Sequence, residues 1–270
     1  MMNISISSIA WDVEFDQDIA KTLNAYGVNY VDLTPSRYFE DIFKVTDANL
    51  AKIKSWWNSQ KIYVYGMQSL LYTAGKVNLF NLDQQKSILE YLDRVCYISQ
   101  GLGAKKLTFG SPKNRDKLSL SNIEAIDIAT TFFYKLGDIA KKYDVVVCLE
   151  PNPKIYGSNF MINHDEAALI VNQVSHDFIG LQLDTGVIFI NKEDITKITK
   201  DHSDIIKHIH LSEPMLASIN IHNLDHKKVS HQIRADFPNS VITIEMLKSA
   251  QDDQLNVIRK SLEFTINTYK

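Results

Sequence analysis

The chain has 270 residues, 45% of them hydrophobic, and a formal net charge of −3. That is enough for a sizeable core, and it is long for an average domain but ordinary for an α/β barrel of roughly 250 residues. Lys and Arg are spread along the whole length with no basic block or stripe, so nothing points to nucleic acid or to an anionic membrane surface.

Eight strand-like runs alternate with helix-like runs from end to end. The strands are expected at residues 3–10, 30–34, 63–71, 106–110, 145–150, 179–184, 206–211 and 241–245. Helical periodicity falls at 18–26, 47–60, 83–103, 121–143, 163–174, 194–202, 226–237 and 252–269. Start signals support several helices: Asp47 opens the second, Ser121 with Glu124 forms a capping box, and Asn163 with Glu166 a similar one. Trp56 and Trp57 lie mid-helix and read as packing residues. Most strands are short continuous apolar runs, the pattern of parallel strands buried on both faces. Eight βα units without a linker or a break in composition predict an α/β protein, a (β/α)8 barrel forming one domain over 1–270. An open doubly wound sheet is the runner-up. It lacks support because no GxGxxG follows a strand; Gly101 and Gly103 come after a helix and read as its C-terminal cap.

No window approaches the roughly 18 apolar residues of a membrane-spanning helix. The start MMNISISSIAW has neither the basic nor the long apolar region of a signal peptide. Cys96 and Cys148 show no CxxC spacing and read as reduced, buried thiols. A cytoplasmic protein is the expectation.

Four polar residues end four consecutive apolar runs: Glu150 in VVVCLE, Asp184 in IGLQLD, His210 in IIKHIH and Glu245 in VITIE. In a parallel barrel the strand ends gather at one rim, where functional residues collect. Strand alternation puts Cys148, Gln182, His208 and Thr243 on the same faces one layer down, where they would orient the residues above. One carboxylate at a strand end is often only a helix cap. Three on neighbouring strands would repel one another, and a divalent cation relieves this, with His210 as a neutral nitrogen ligand.

These residues resemble the xylose-isomerase-like TIM barrel superfamily of sugar isomerases and epimerases, inosose dehydratase and endonuclease IV. LEPNP at Glu150, LDTG at Asp184 and HIHLSEP at His210 are similar to its motifs. The resemblance implies one Mn, Mg, Co or Zn ion held by Glu150, Asp184, His210 and Glu245. It implies a carbohydrate substrate chelated by that ion and an enediolate stabilised by it, with Glu150 and Glu245 as the catalytic acid and base. Epimerisation, aldose–ketose isomerisation and dehydration by a lyase share this ligand set; a non-catalytic sugar-binding barrel is a third reading. A homo-oligomer is compatible with all of them.

The chain departs from the superfamily at three points. Many relatives carry His three residues after the strand-six Asp, where Val187 stands here. The epimerases place an acidic residue six after the strand-five Glu, where Tyr156 stands, and their Arg after strand seven has no match in SEPMLAS. A simple ketohexose 3-epimerase is therefore disfavoured. Endonuclease IV needs three metals and more His ligands than the ends of strands three and four supply, so DNA is set aside as a partner. Arg115, Lys113, Lys154 and Tyr156 are candidates to hold a substrate anion. Asn152, His208, Glu213 and Trp11 are further candidates around the site, Trp11 as a pocket wall.

Overall fold

A computed structural model describes residues 2–249 and 253–270. Eight strands close a parallel barrel in sequence order: β1 (Asn3–Ser7), β2 (Tyr30–Leu33), β3 (Tyr63–Met67), β4 (Lys106–Phe109), β5 (Val146–Leu149), β6 (Ile179–Asp184), β7 (Ile206–Leu211) and β8 (Val241–Ile244), with β8 pairing back onto β1. Around it, among the described residues, run α1 (Asp16–Ala25), α2 (Asp47–Ser59), α3 (Gln85–Leu102), α4 (Asn122–Lys142), α5 (His164–Val174), α6 (Thr185–Asn191), α7 (Ile195–His202), α8 (His226–Asp236) and α9 (Gln254–Tyr269). Asp252, the expected first residue of the last helix, lies outside the described residues. No described helix is long and apolar enough to cross a membrane.

The strands bury both faces, as their unbroken apolar runs require: every residue of β6 and of β8 is buried. Ser121 and Glu124 cap α4 reciprocally. Asn163 accepts the Glu166 N–H, but Glu166 reaches back to Ile162, so only half of that box forms. The cap of α2 is Thr46, one residue earlier than expected, in a reciprocal pair with Asn49. Gly103, left-handed at φ 94°, ends α3. Trp57 is buried and donates to the Tyr38 hydroxyl at 3.0 Å. Cys96 and Cys148 are free and buried.

Two strands are shorter than their apolar runs, because hydrophobicity does not mark where a chain leaves the barrel. After Ser7 the run SIA forms a 3-10 turn. After Met67 the chain turns away, with Ser69 at φ 56°. The short helix α6 was not expected from TGVIFIN, since Gly and β-branched residues are weak helix formers. It is started by the strand-end residue Asp184, whose Oδ1 accepts the Val187 N–H at 2.8 Å.

Two glycines make room inside the barrel. A Cβ on Gly66 would stand 2.2 Å from Asp32 Oδ2, and one on Gly110 would stand 2.0 Å from Glu150 Oε2. Gly66→Ala must therefore displace a buried carboxylate. It should lower stability by about 1–3 kcal/mol, read as a fall in the urea midpoint at unchanged slope; an unchanged midpoint would show that the space beside Asp32 is not limiting.

Candidate metal centre

Glu150 follows β5, Asp184 ends β6, His210 is the fifth residue of β7 and Glu245 follows β8, so the closure of the barrel brings all four to one rim. One oxygen or nitrogen from each lies within 4.8 Å of those of the other three. His210 Nδ1 is 3.2 Å from Glu150 Oε1 and 3.3 Å from Glu245 Oε2. Neither contact has hydrogen-bond geometry, and His210 Nδ1, His210 Nε2 and Glu150 Oε1 are buried without a partner. Buried polar atoms in proteins are rarely left so. Three carboxylates and one imidazole with ligand atoms this close together are the donor set of a divalent cation, and the residues fit that group.

The electrostatics record the same crowding. Burial first, then repulsion from Glu150 and Glu245, pushes Asp184 up to about 8. Burial and the charge of Glu245 also raise Glu150. Burial works against protonation of His210, but Glu245 and Glu150 outweigh it and hold the imidazole well above its ordinary value.

The three acidic residues are held from behind. Gln68 Nε2 donates to Glu245 Oε1 at 2.7 Å. Ser212 Oγ donates to Asp184 at 2.8 Å, and the Asp184 N–H donates to His164 Nε2 at 3.2 Å, whose other nitrogen lies 2.5 Å from Glu193 Oε2. The Glu150 carbonyl accepts Arg115 Nη1 at 2.7 Å. Below His210, His208 Nε2 donates to Asp32 Oδ2 at 2.8 Å, and Ser5 Oγ donates to Asp32 Oδ1 at 2.7 Å. Burial opposes ionisation of Asp32, yet His208 and these bonds keep its carboxyl below the usual value. A nitrogen of His210 comes within 4.8 Å of this pair, so Asp32, His208 and His210 form a second buried cluster that shares one residue with the first.

Over Glu150, Asp184 and Glu245, which line it, opens a cavity of about 410 Å³, within the usual range for small-molecule sites; His210 lies buried beneath. Of the substrate-contact candidates singled out from the sequence, Asn152 and Tyr156 line it. Asn152 Nδ2 donates to the Pro151 carbonyl at 2.8 Å and comes within 3.5 Å of Glu150 Oε2; the Tyr156 hydroxyl accepts the Met215 N–H at 2.8 Å. Six others do not line it, each for a physical reason. Arg115 is fully buried and braces the Glu150 backbone, so it is not a solvated loop charge waiting for an anion. Trp11 is buried, donates to Asp16 Oδ1 at 2.7 Å and packs under Arg37. His208 is committed to Asp32 in the layer below. Lys154 is exposed on a 3-10 turn outside the cavity. Lys113 is also exposed, and Glu213 is buried against His222 and His226, where it fixes the loop after β7.

Asp32, Gln68, Ser212 and His164 join the site without being sequence candidates. An acid inside the apolar run YVDL was a usable signal for Asp32. The others sit in loops or helices that only the fold brings to the rim.

A closed parallel barrel with three carboxylates and an imidazole gathered at its carboxyl-end rim defines a class of (β/α)8 proteins whose rim could hold a cation beneath a small-molecule cavity. Within that class the chain belongs to the xylose isomerase-like TIM barrel family, whose model matches residues 20–268. A protein called probable endonuclease 4, from Metamycoplasma arthritidis (strain 158L3-1), is 26% identical over 187 residues, 66% of this chain and 62% of that one. This likeness removes the ground for setting nucleic acid aside, since an acidic chain without a basic stripe can still have such a relative. Among solved structures, the 3-keto-D-glucoside 4-epimerase YcjR of E. coli superposes with a TM-score of 0.81 at 15% identity, covering 99% of this chain and 100% of that one. The IOLI protein with a bound zinc atom superposes with a TM-score of 0.77 at 16% identity, covering 99% and 98%.

Asp32→Ala removes the acceptor shared by two buried donors and should destabilise the protein by about 3–5 kcal/mol. Asp32→Asn, which keeps an oxygen for Ser5, should lose less. Equal denaturation midpoints for Asp32→Ala and the parent would show that the pair contributes nothing.

Proposed function

We propose that this protein is a divalent-metal-dependent isomerase or epimerase acting on a small carbohydrate. The carrying observation is the convergence of buried, unpartnered atoms of Glu150 and His210 with Asp184 and Glu245 beneath a cavity of about 410 Å³. The sugar epimerase and the zinc-bearing barrel among its structural neighbours support the reading. An ion held by Glu150, Asp184, His210 and Glu245, drawn from Mn, Mg, Co or Zn, would supply Lewis acidity at the carbonyl and adjacent hydroxyl of the sugar.

The protein's own groups do the rest. Glu150 and Glu245 follow β5 and β8, which are not neighbours in the barrel, so their carboxylates approach a bound sugar from different sides. One removes the proton from the carbon beside the carbonyl and the other delivers a proton, to the opposite face of that carbon or to its neighbour. Gln68 orients Glu245, and Arg115 with Asn152 orients Glu150. Asp184, tied to Ser212 and to the first turn of α6, keeps the floor rigid. The buried free thiols support a reducing cytoplasm, and residues 1–270 act as one catalytic domain. A lyase of the same superfamily would use the same groups and is separated by loss of water.

The test combines binding with isotope exchange. Zn or Mn should raise the melting temperature, and EDTA should reverse this. The loaded protein should catalyse solvent-deuterium exchange at the carbon beside a ketose carbonyl. Glu150→Gln and Glu245→Gln should each lower exchange by about 10²–10⁴-fold. No divalent-metal binding at neutral pH would sink the proposal; metal-dependent cleavage of duplex DNA without ketose exchange would replace it with the activity that the name of the mycoplasma relative carries.

A further inference from the structure

The walls of the cavity differ from its floor. Among its described lining residues the charged ones are Glu150, Asp184 and Glu245; none is Lys or Arg. Arg115, the buried cation nearest Glu150, lies behind that residue and outside the cavity. The remaining polar groups that face it, such as Gln68 and Asn152, are neutral. One side is apolar: Val187, Met215 and Leu216, with the ring of Tyr156 beside them. On the loop after β3, Tyr72 also lines the mouth and is 82% exposed, while Met215 is 63% exposed. Large apolar side chains held in water around a cavity mark a surface that meets a ligand.

This wall is held in place. Met215 and Leu216 are both left-handed, at φ 60° and 51°, a strained conformation for residues other than Gly. Three tethers keep them there. The Met215 N–H donates to the Tyr156 hydroxyl, Leu216 O accepts the Leu247 N–H at 2.8 Å, and buried Glu213 takes the N–H of His222 and the side chains of His222 and His226. Val187 is set by the cap bond from its own N–H to Asp184, which turns α6 toward the rim.

Building on the isomerase reading, we infer that the substrate is an uncharged keto-sugar carrying an apolar substituent. That substituent rests on Val187, Met215 and Leu216, and phosphate esters and sugar acids are excluded. The ion of the isomerase reading is held on the floor by the carboxylates, and the walls offer a phosphate no Lys or Arg to receive it. An apolar substituent would cover exposed Met215 and half-buried Leu216, with buried Val187 as the base of the wall.

The experiment uses the full-length protein loaded with Mn and three probes that differ at one carbon: D-fructose, its 6-O-benzyl ether and its 6-phosphate. The benzyl ether should bind about 10- to 100-fold more tightly than D-fructose, read from the shift in melting temperature with concentration, and the phosphate should give no shift. Met215→Arg should weaken the ether and bring in binding of the phosphate. Phosphate binding equal to or better than the ether, an ether no tighter than D-fructose, or no shift with any probe would each overturn the inference. Deuterium exchange in the same samples reads the underlying function separately: exchange with a preference for phosphate overturns the apolar wall alone, and tight binding of the ether without exchange upholds the wall while defeating the isomerase reading.

Discussion

Three carboxylates and an imidazole share one buried rim, and the repulsion among the carboxylates is the constraint around which the site is arranged. Burial and mutual charge push Asp184 up to about 8 and raise Glu150, while the same negative field draws a proton toward His210. A rim of this kind is relieved either by taking up protons or by taking up a cation. The unpartnered atoms of His210 and Glu150 belong to residues whose ligand atoms, with those of Asp184 and Glu245, lie close enough together to hold such a cation. Neighbouring residues conform to this arrangement: Gly110 leaves space for the Glu150 carboxylate, and Gly66 leaves space for Asp32 beneath His210.

The support is layered. The rim groups are gripped by neutral donors, Gln68 on Glu245 and Ser212 on Asp184, which orient a carboxylate without neutralising it. Charged support stands one step further back, in Asp32 with His208 and in Glu193 with His164. Arg115 fits the same plan. It bonds the Glu150 backbone rather than its carboxylate, and so fixes position while leaving the negative charge available. Such outer groups commonly change the affinity of a metal site by one or two orders of magnitude.

The upper half of the site follows other physics. Hydrogen bonds between loops hold the apolar wall of Met215 and Leu216 in a backbone conformation that those residues would not adopt alone. Charge therefore dominates the floor and apolar surface the mouth. The departures at Val187 and Tyr156 belong to one feature, since both line the cavity on that side.

The sequence by itself determined the barrel and its rim. Parallel strands buried on both faces tolerate polar side chains at their ends, so Glu150, Asp184, His210 and Glu245 stood out against unbroken apolar runs, and consecutive order made their strand ends meet. Periodicity also placed the helices to within a few residues, missing α6 because its cap is the strand-end Asp184 and its residues are poor helix formers. Tertiary structure alone decided what surrounds the rim. Trp11, Lys154 and Arg115 sit near strand ends in sequence, yet the first packs on Asp16, the second faces solvent and the third turns under Glu150. Gln68 and Ser212 follow their strands with no pattern to mark them, yet reach Glu245 and Asp184. The reason is that hydrophobic period encodes which way a strand or helix faces, while a loop's path is set by hydrogen bonds to partners far away in the chain.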